Sequence, residues 1–246
     1  MGLSAAIITY NEEANIADCL ESVAWADEIV VVDAMSTDRT REIASRYTPK
    51  VFTRQWDGYT AAREYALSRC TSEWVLAVDA DERVTPELRA EIAGAVGAPG
   101  FDGYLIPRKA FFLGRWIKHC GWYPGRVLRL FKRDRVWVTD RKVHEGMRVK
   151  GTVGTLKEPM LHYTYLSVRD YFARFDSYTT LAARELRERG RKAGILDLTV
   201  RPLFQFIKMY LARLGILDGF EGLVLCVFSG LYVFVKYVKL RRMDGP

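Results

Sequence analysis

Cysteine is scarce in this chain: four in 246 residues, at Cys19, Cys70, Cys120 and Cys226, with no two close enough to make a Cys-x-x-Cys pair. They read as small hydrophobes of a reducing compartment. No secretory leader opens the sequence, since Met1-Gly2-Leu3-Ser4 runs straight into a strand-like segment, and Ala6 fills the place where a myristoylation motif needs Ser or Thr. A cytoplasmic location is the expectation. No uncharged run reaches the ~20 residues of a membrane span. The C-terminal stretch Leu223 to Val235 has thirteen uncharged residues, with Asp218 and Glu221 before it and Lys236, Lys239, Arg241 and Arg242 after it. An excess of either charge is missing from residues 1–166, which hold 23 Lys/Arg and 22 Asp/Glu. Almost all of the net charge of +7 therefore sits in residues 167–246, with 14 basic and 8 acidic residues. Disorder is excluded by a hydrophobic content of 49%. The length suits one large domain, or one domain with an appendage.

What is present is an alternation. Ser4–Tyr10 is a short apolar strand, followed by Asn11-Glu12-Glu13, with Asn11 as N-cap of a helix reaching Ser22. Glu28–Asp33 is a second strand, Arg39–Tyr47 a helix, Val51–Thr53 a third strand and Thr60–Arg69 an Ala-rich helix. Trp74–Asp79 is a fourth strand, and Thr85-Pro86-Glu87 opens another helix with a Thr cap and Pro in the first turn. Such a series predicts a mostly parallel sheet flanked by helices. Strands one, two and four all end in polar groups: Thr9, Asn11 and Glu12; Asp33, Ser36 and Asp38; Asp79 and Asp81. In open α/β sheets that edge is where ligands bind. A dinucleotide fold would carry Gly-x-Gly-x-x-Gly after its first strand, whereas this turn is Tyr-Asn-Glu-Glu-Ala-Asn, so NAD and FAD are disfavoured.

Ile7-Ile8-Thr9-Tyr10-Asn11-Glu12-Glu13, Val31-Val32-Asp33-Ala34-Met35-Ser36-Thr37-Asp38-Arg39-Thr40 and Val78-Asp79-Ala80-Asp81-Glu82 together resemble the family 2 glycosyltransferases of GT-A fold. The match covers roughly residues 3–110 and consists of three motifs in fixed order, the last a D-x-D turn. The resemblance implies an α/β GT-A domain over residues 1–166, with a nucleotide-sugar half (1–100) and an acceptor half (101–166). A helical, membrane-associated extension follows over 167–246. It implies that Thr9, Asn11 and Glu12 line the base and ribose and that Asp33 accepts from the uracil N–H, with Ser36 and Asp38 close by. A carboxylate is acceptor-only and an imide is a donor, so that pairing is sound. Asp38 serves equally well as a cap of the following helix. Asp79, Ala80 and Asp81 would hold the sugar diphosphate, Asp81 being the stronger ligand for Mg²⁺ or Mn²⁺ and Asp79 contacting the ribose or sugar as the alternative. Glu82 points away from Asp81 in an extended turn and is not counted as a ligand. Arg63 either faces the diphosphate or is a surface arginine, the second fitting its helix better.

Residues 100–166 mix aromatic and basic residues, which suit a sugar ring beside an anionic group. Arg129-Leu130-Phe131, Val143-His144-Glu145 and His162-Tyr163 are similar to segments of the bacterial lipopolysaccharide-core branch of the family. An inverting transfer needs one base for the acceptor hydroxyl; Glu145 is the first candidate and Asp140 the second. His162 is expected either to complete the metal shell or to be a core histidine. Ser167–Arg189 predicts a long helix capped by Ser167. Between Phe204 and Tyr237 lie eight aromatics, and with the basic excess they suit helices lying in a membrane interface. A core hairpin or an oligomer interface fits the same apolar pattern.

The function implied is a metal-dependent, inverting transfer of a hexose from a UDP-sugar to a lipid-attached saccharide such as lipopolysaccharide inner core, at the cytoplasmic membrane face. Transfer to polyprenyl phosphate is the alternative. A nucleic-acid-binding protein would account for the charge of +7 but not for carboxylates at three strand ends, which would repel phosphates.

Overall fold

The computed structural model describes residues 2–98, 100–139 and 146–243. In chain order the elements are β1 (Leu3–Thr9), α1 (Ile16–Ser22), β2 (Glu28–Asp33), α2 (Thr40–Ala44), β3 (Val51–Thr53), α3 (Tyr59–Arg69), β4 (Trp74–Asp79), β5 (Glu82–Arg83) and α4 (Pro86–Gly97). There follow β6 (Gly103–Ile106), β7 (Arg108–Phe112), β8 (Arg115–Trp116), β9 (Val127–Lys132), β10 (Val136–Thr139), β11 (Gly146–Val149), β12 (Val153–Thr155) and β13 (Met160–Tyr165). Three longer helices close the series: α5 (Val168–Glu188), α6 (Ile195–Ile207) and α7 (Gly219–Met243). The chain divides into two units, one of residues 2–108, 126–139 and 146–162, the other of 109–125 and 163–243.

The first unit is built on a seven-stranded sheet in the order β12-β6-β9-β4-β1-β2-β3. β3, β2, β1 and β4 are parallel, β9 runs antiparallel between β4 and β6, and β12 is parallel to β6. β1 and β4 are apolar on both sides, as a sheet covered on both faces requires. Ile7, Leu76, Val78, Ile92 and Leu130 pack in one layer, and Ile8, Val32, Val75 and Phe131 in the other. Register fixes the functional edge: Thr9 lies opposite Asp33, and Ile8 opposite Asp79. Neighbouring strands are about 4.8 Å apart, so Asp33 and Asp79, flanking β1, end about 10 Å apart.

One sequence expectation changes at the helix starts, and two hold. Asn11 is not an N-cap: α1 begins only at Ile16, and Asn11 adopts a left-handed backbone with φ 51°. Thr85 does cap α4, its Oγ1 accepting from the Leu88 N–H at 3.2 Å, and Ser167 caps α5 through the Asp170 N–H at 3.1 Å.

A buried carboxylate fastens the opposite end of the sheet. Glu28 accepts from the Ser4 hydroxyl, the Lys50 ammonium, the Thr71 N–H at 2.7 Å and the Thr71 hydroxyl at 3.0 Å. Burial alone would raise its pKa, but these donors outweigh it and hold it at about 2 instead of 4.5. A depressed carboxylate contributes stability above its unfolded pKa and loses it as pH falls through the folded one. Glu28→Gln should therefore cost about 2 kcal/mol at neutral pH, discounted because Lys50 is partly solvated. In thermal unfolding the gap to wild type should close between pH 4.5 and 2. A constant gap across that window would show that the carboxylate's charge is not what fastens the strands.

In the second unit, α5 shows a period-3.6 apolar face on which Tyr171, Phe175, Thr179 and Ala183 are buried. Tyr171, Phe175, Leu225, Cys226 and Phe112 share one core with Met209. α6 and α7 approach closely at Gly230, where a Cβ would come within 3.1 Å of the Pro202 carbonyl oxygen. Their outward sides are apolar: Leu196, Val200, Leu203, Phe204 and Ile207 on α6, and Phe220, Leu223, Val227, Leu231 and Phe234 on α7, are all exposed. Each set repeats at three- and four-residue steps, one stripe per helix. Among the described residues one helical stretch, Gly215–Met243, is long and apolar enough to cross a membrane by length and composition alone.

Candidate active site

The turns after β1 and β2 are tied to each other by side chains. Ser36 donates its hydroxyl to Asp33 Oδ2 at 2.5 Å and its N–H to Asp33 Oδ1 at 2.9 Å. The same Ser36 Oγ accepts from the Asn11 N–H at 2.8 Å, while Asn11 Oδ1 accepts from the Thr37 N–H at 2.8 Å. These bonds hold Asn11 and Met35 (φ 63°), two non-glycine residues in the left-handed region. Asx residues reach that region cheaply, and a methionine needs surrounding support. Tyr10 and Met35 stand more than half exposed above the turns, whereas Asp33 is fully buried at its carboxylate. Thr9 Oγ1 is buried without a hydrogen-bond partner. Glu12 accepts from Asn15 Nδ2 at 2.8 Å and donates its N–H to Thr40 Oγ1 at 2.8 Å. Burial would raise the Asp38 carboxyl, but it accepts from the Thr40 hydroxyl at 2.5 Å, the Thr40 N–H at 3.0 Å and the Glu13 N–H at 3.1 Å, and these bonds keep it below the usual range. Asp38 stands one residue before Arg39, the N-cap of α2, which itself carries no side-chain cap bond.

At the end of β4 two carboxylates meet three guanidiniums. Asp79 pairs with Arg63 at 2.7 Å and with Arg129. Glu82, completely buried, pairs with Arg129 at 2.7 Å, lies 3.9 Å from Arg108, and accepts from the Asp79 N–H at 2.9 Å, closing the turn. Burial would push the Asp79 carboxyl up, but Arg129 and Arg63 outweigh it and hold it well below the carboxylate range. Arg63 is thus not a surface arginine: α3 directs it inward, 15% exposed, because Asp79 offers a carboxylate there. Sequence reasoning missed Arg129 as Asp79's partner. Its signal was Leu128-Arg129-Leu130-Phe131, an arginine inside an otherwise apolar strand, which demands a buried carboxylate.

Asp81, 7% exposed, lies beside His162, whose Nε2 is 3.4 Å from Asp81 Oδ2. The pairing of β5 with β13, which sets His162 opposite Glu82, brings residues eighty apart in sequence together. Burial would lower the His162 pKa; Asp81 and Glu82 more than offset it and raise it. Ala80 is buried between the two aspartates. Asp140 and Glu145 lie outside the described residues.

Residues 4–177 match the model of the family described as Glycosyl transferase family 2. Over 97% of its length the chain is 29% identical to the lipopolysaccharide core biosynthesis glycosyltransferase LpsC of Rhizobium meliloti, covering 91% of that protein. It is likewise 29% identical to an uncharacterized glycosyltransferase of Rickettsia felis, over 98% of this chain and 89% of the other. The S. aureus TarS fragment 1–349, solved in complex with UDP-GlcNAc, superposes with a TM-score of 0.52 at 16% identity, covering 99% of this chain and 91% of that one. That likeness is one of fold.

Proposed function

The chain belongs to glycosyl transferase family 2, and from that premise we propose that it moves a hexose from a UDP-sugar to a lipid-attached saccharide of lipopolysaccharide core type, with inversion, at the cytoplasmic face of the membrane. The observation that carries this is the alignment of Thr9, Asp33 and Asp79 at one sheet edge, with Asp81 and His162 beside them. Its about 10 Å breadth suits a nucleoside whose base lies toward Asp33 and whose diphosphate lies toward Asp81. A UDP-sugar donor is supported by the complex recorded for TarS, and the acceptor class by the name of LpsC.

The residues present fit a divalent cation. Asp81 supplies a hard oxygen and His162 an imidazole nitrogen, a set that suits Mn²⁺ or Mg²⁺. Among the described residues no group of three His, Cys, Asp or Glu could hold a metal. Such a cation would take its remaining ligands from the diphosphate and water, as Mg²⁺ commonly does. When bound it neutralises the charge that grows on the departing nucleoside diphosphate. The protein's own share is positional. Arg63 and Arg129 fix Asp79, Glu82 closes the turn through the Asp79 N–H, and Asp81 is held at the edge. Asp33, locked by Ser36, presents an acceptor to a base N–H, and the Thr9 hydroxyl is left to a ligand. Glu145 remains the candidate base and Asp140 the second. The test is release of UDP from UDP-glucose in the presence of Mg²⁺ or Mn²⁺; a chain that neither binds nor turns over any nucleotide sugar with metal present overturns the proposal.

The outward apolar stripes of α6 and α7, with the basic excess of residues 167–246, support attachment to the membrane. Leu203→Glu with Phe204→Glu, both about 60% exposed, should cost little in folding. The pair should weaken co-sedimentation with phosphatidylglycerol vesicles about tenfold or more. Undiminished co-sedimentation would sink the attachment through α6.

A further inference from the structure

The hairpin of β7 and β8, in the second unit, has an outward face that the donor chemistry leaves unused. Strand alternation assigns its two sides. Ala110, Phe112 and Ile117 turn inward and are buried. Phe111 and Trp116 are cross-strand partners on the other side, and the Ile117 N–H bond to the Ala110 carbonyl at 3.0 Å continues the pairing. The next pair in that register is Lys109 opposite Lys118, and like charges directly opposite each other destabilise a sheet. Both ammonium groups lie over the Trp116 ring, at 4.3 and 4.8 Å from its centroid, so they are at most about 9 Å apart.

Among the described residues neither ammonium pairs with a carboxylate. The nearby acids are engaged elsewhere: Asp218 accepts from the N–H groups of Lys118 and His119, and Glu221 pairs with Arg115 at 3.4 Å. Around the lysines is aromatic surface. Tyr163 stacks on Phe111 at 4.9 Å, and the exposed Tyr123 meets Trp116 edge-on at 5.4 Å. The Trp116 indole N–H is buried and without a partner. Two unneutralised cations, a flat aromatic surface and an unused donor together form a receptor for a ring that carries both hydroxyls and negative charge.

We propose that this face binds a saccharide bearing an anionic group, its phosphate or carboxylate between Lys109 and Lys118 and its ring against Trp116 and Tyr123. The proposal rests on the glycosyltransferase assignment for its role, naming the acceptor class of that reaction; the binding itself is testable separately.

The probe is the Trp116 indole N–H resonance of the full ¹⁵N-labelled chain, identified by its loss in Trp116→Phe. Titration with glucose 6-phosphate or glucuronate should shift it saturably, and comparing the two separates phosphate from carboxylate as the preferred anion. Lys109→Met/Lys118→Met should weaken that binding about tenfold or more, and Lys109→Arg/Lys118→Arg should restore most of it. Saturation by glucose at equal affinity, or by inorganic phosphate at equal affinity, would overturn the proposal. So would a shift produced only by phosphatidylglycerol vesicles, which would make the face a headgroup contact, or no shift at all. UDP-hexose binding by the wild-type chain, measured in parallel, tests the transferase assignment independently of this result.

Discussion

Asp81→Asn should cut cation-dependent release of UDP from UDP-glucose by roughly a hundred- to a thousandfold while leaving the fold intact. The substitution preserves volume and one hydrogen-bonding oxygen, so what it removes is charge. That charge lies at the end of β4, beside the His162 imidazole at 3.4 Å. Asp79 cannot take its place, because Arg63 and Arg129 already occupy both of its oxygens. Glu82 cannot either, being fully buried against Arg129. Stabilisation of the wild-type chain by Mn²⁺ with UDP, read as a rise in Tm, should vanish in the variant, while the Tm without ligands shifts by only a few degrees. Wild-type turnover in Asp81→Asn would remove Asp81 from the metal site. Loss of turnover with a collapsed Tm would assign it a structural role instead.

The sheet and its polar edge were readable in the sequence because parallel strands buried on both faces write themselves as short apolar runs. The Asp33, Asp79 and Asp81 ends of those runs are local in sequence. The extent of each helix was less readable. Asn11 looked like a cap because its residue type suits one, yet its bonds reach across to Ser36 and Thr37 on the next turn, and tertiary contact outweighed local propensity. Arg63 looked solvent-facing since nothing in its helix predicts that Asp79 will come to it from another strand. Arg129 was hidden in the same way, as was the adjacency of His162 to Asp81, which depends on β5 pairing with β13. Long-range partners of a charged residue are set by topology, and periodicity carries no information about them. The C-terminal helices show the complementary case. Their apolar stripes can be read from spacing, but that the stripes on α6 and α7 face outward, and not into a core, follows only from exposure in the fold.

Arg129→Met should be the most destabilising single substitution in the first unit. Arg129 is 4% exposed and bridges Asp79 and Glu82. Burial works against its charge, yet the two carboxylates outweigh that effect and keep it protonated. Methionine fills the space but leaves Glu82 fully buried with only Arg108, 3.9 Å away, to balance it. Removing one partner of a buried ion pair costs about 3–5 kcal/mol, because the remaining charge is left uncompensated. For a chain of this size that lowers Tm by on the order of 10 °C. If uncompensated charge is the cause, Arg129→Met/Glu82→Gln should recover a substantial part of the loss. Glutamine keeps an oxygen for the Asp79 N–H, now accepted by Glu82 Oε2 at 2.9 Å, while Asp79 retains Arg63 at 2.7 Å. Thermal unfolding of the two variants beside wild type decides the matter. A double variant no more stable than Arg129→Met would trace the loss to packing, and a single variant as stable as wild type would mean that the Asp79–Asp81 turn holds its shape without the arginine.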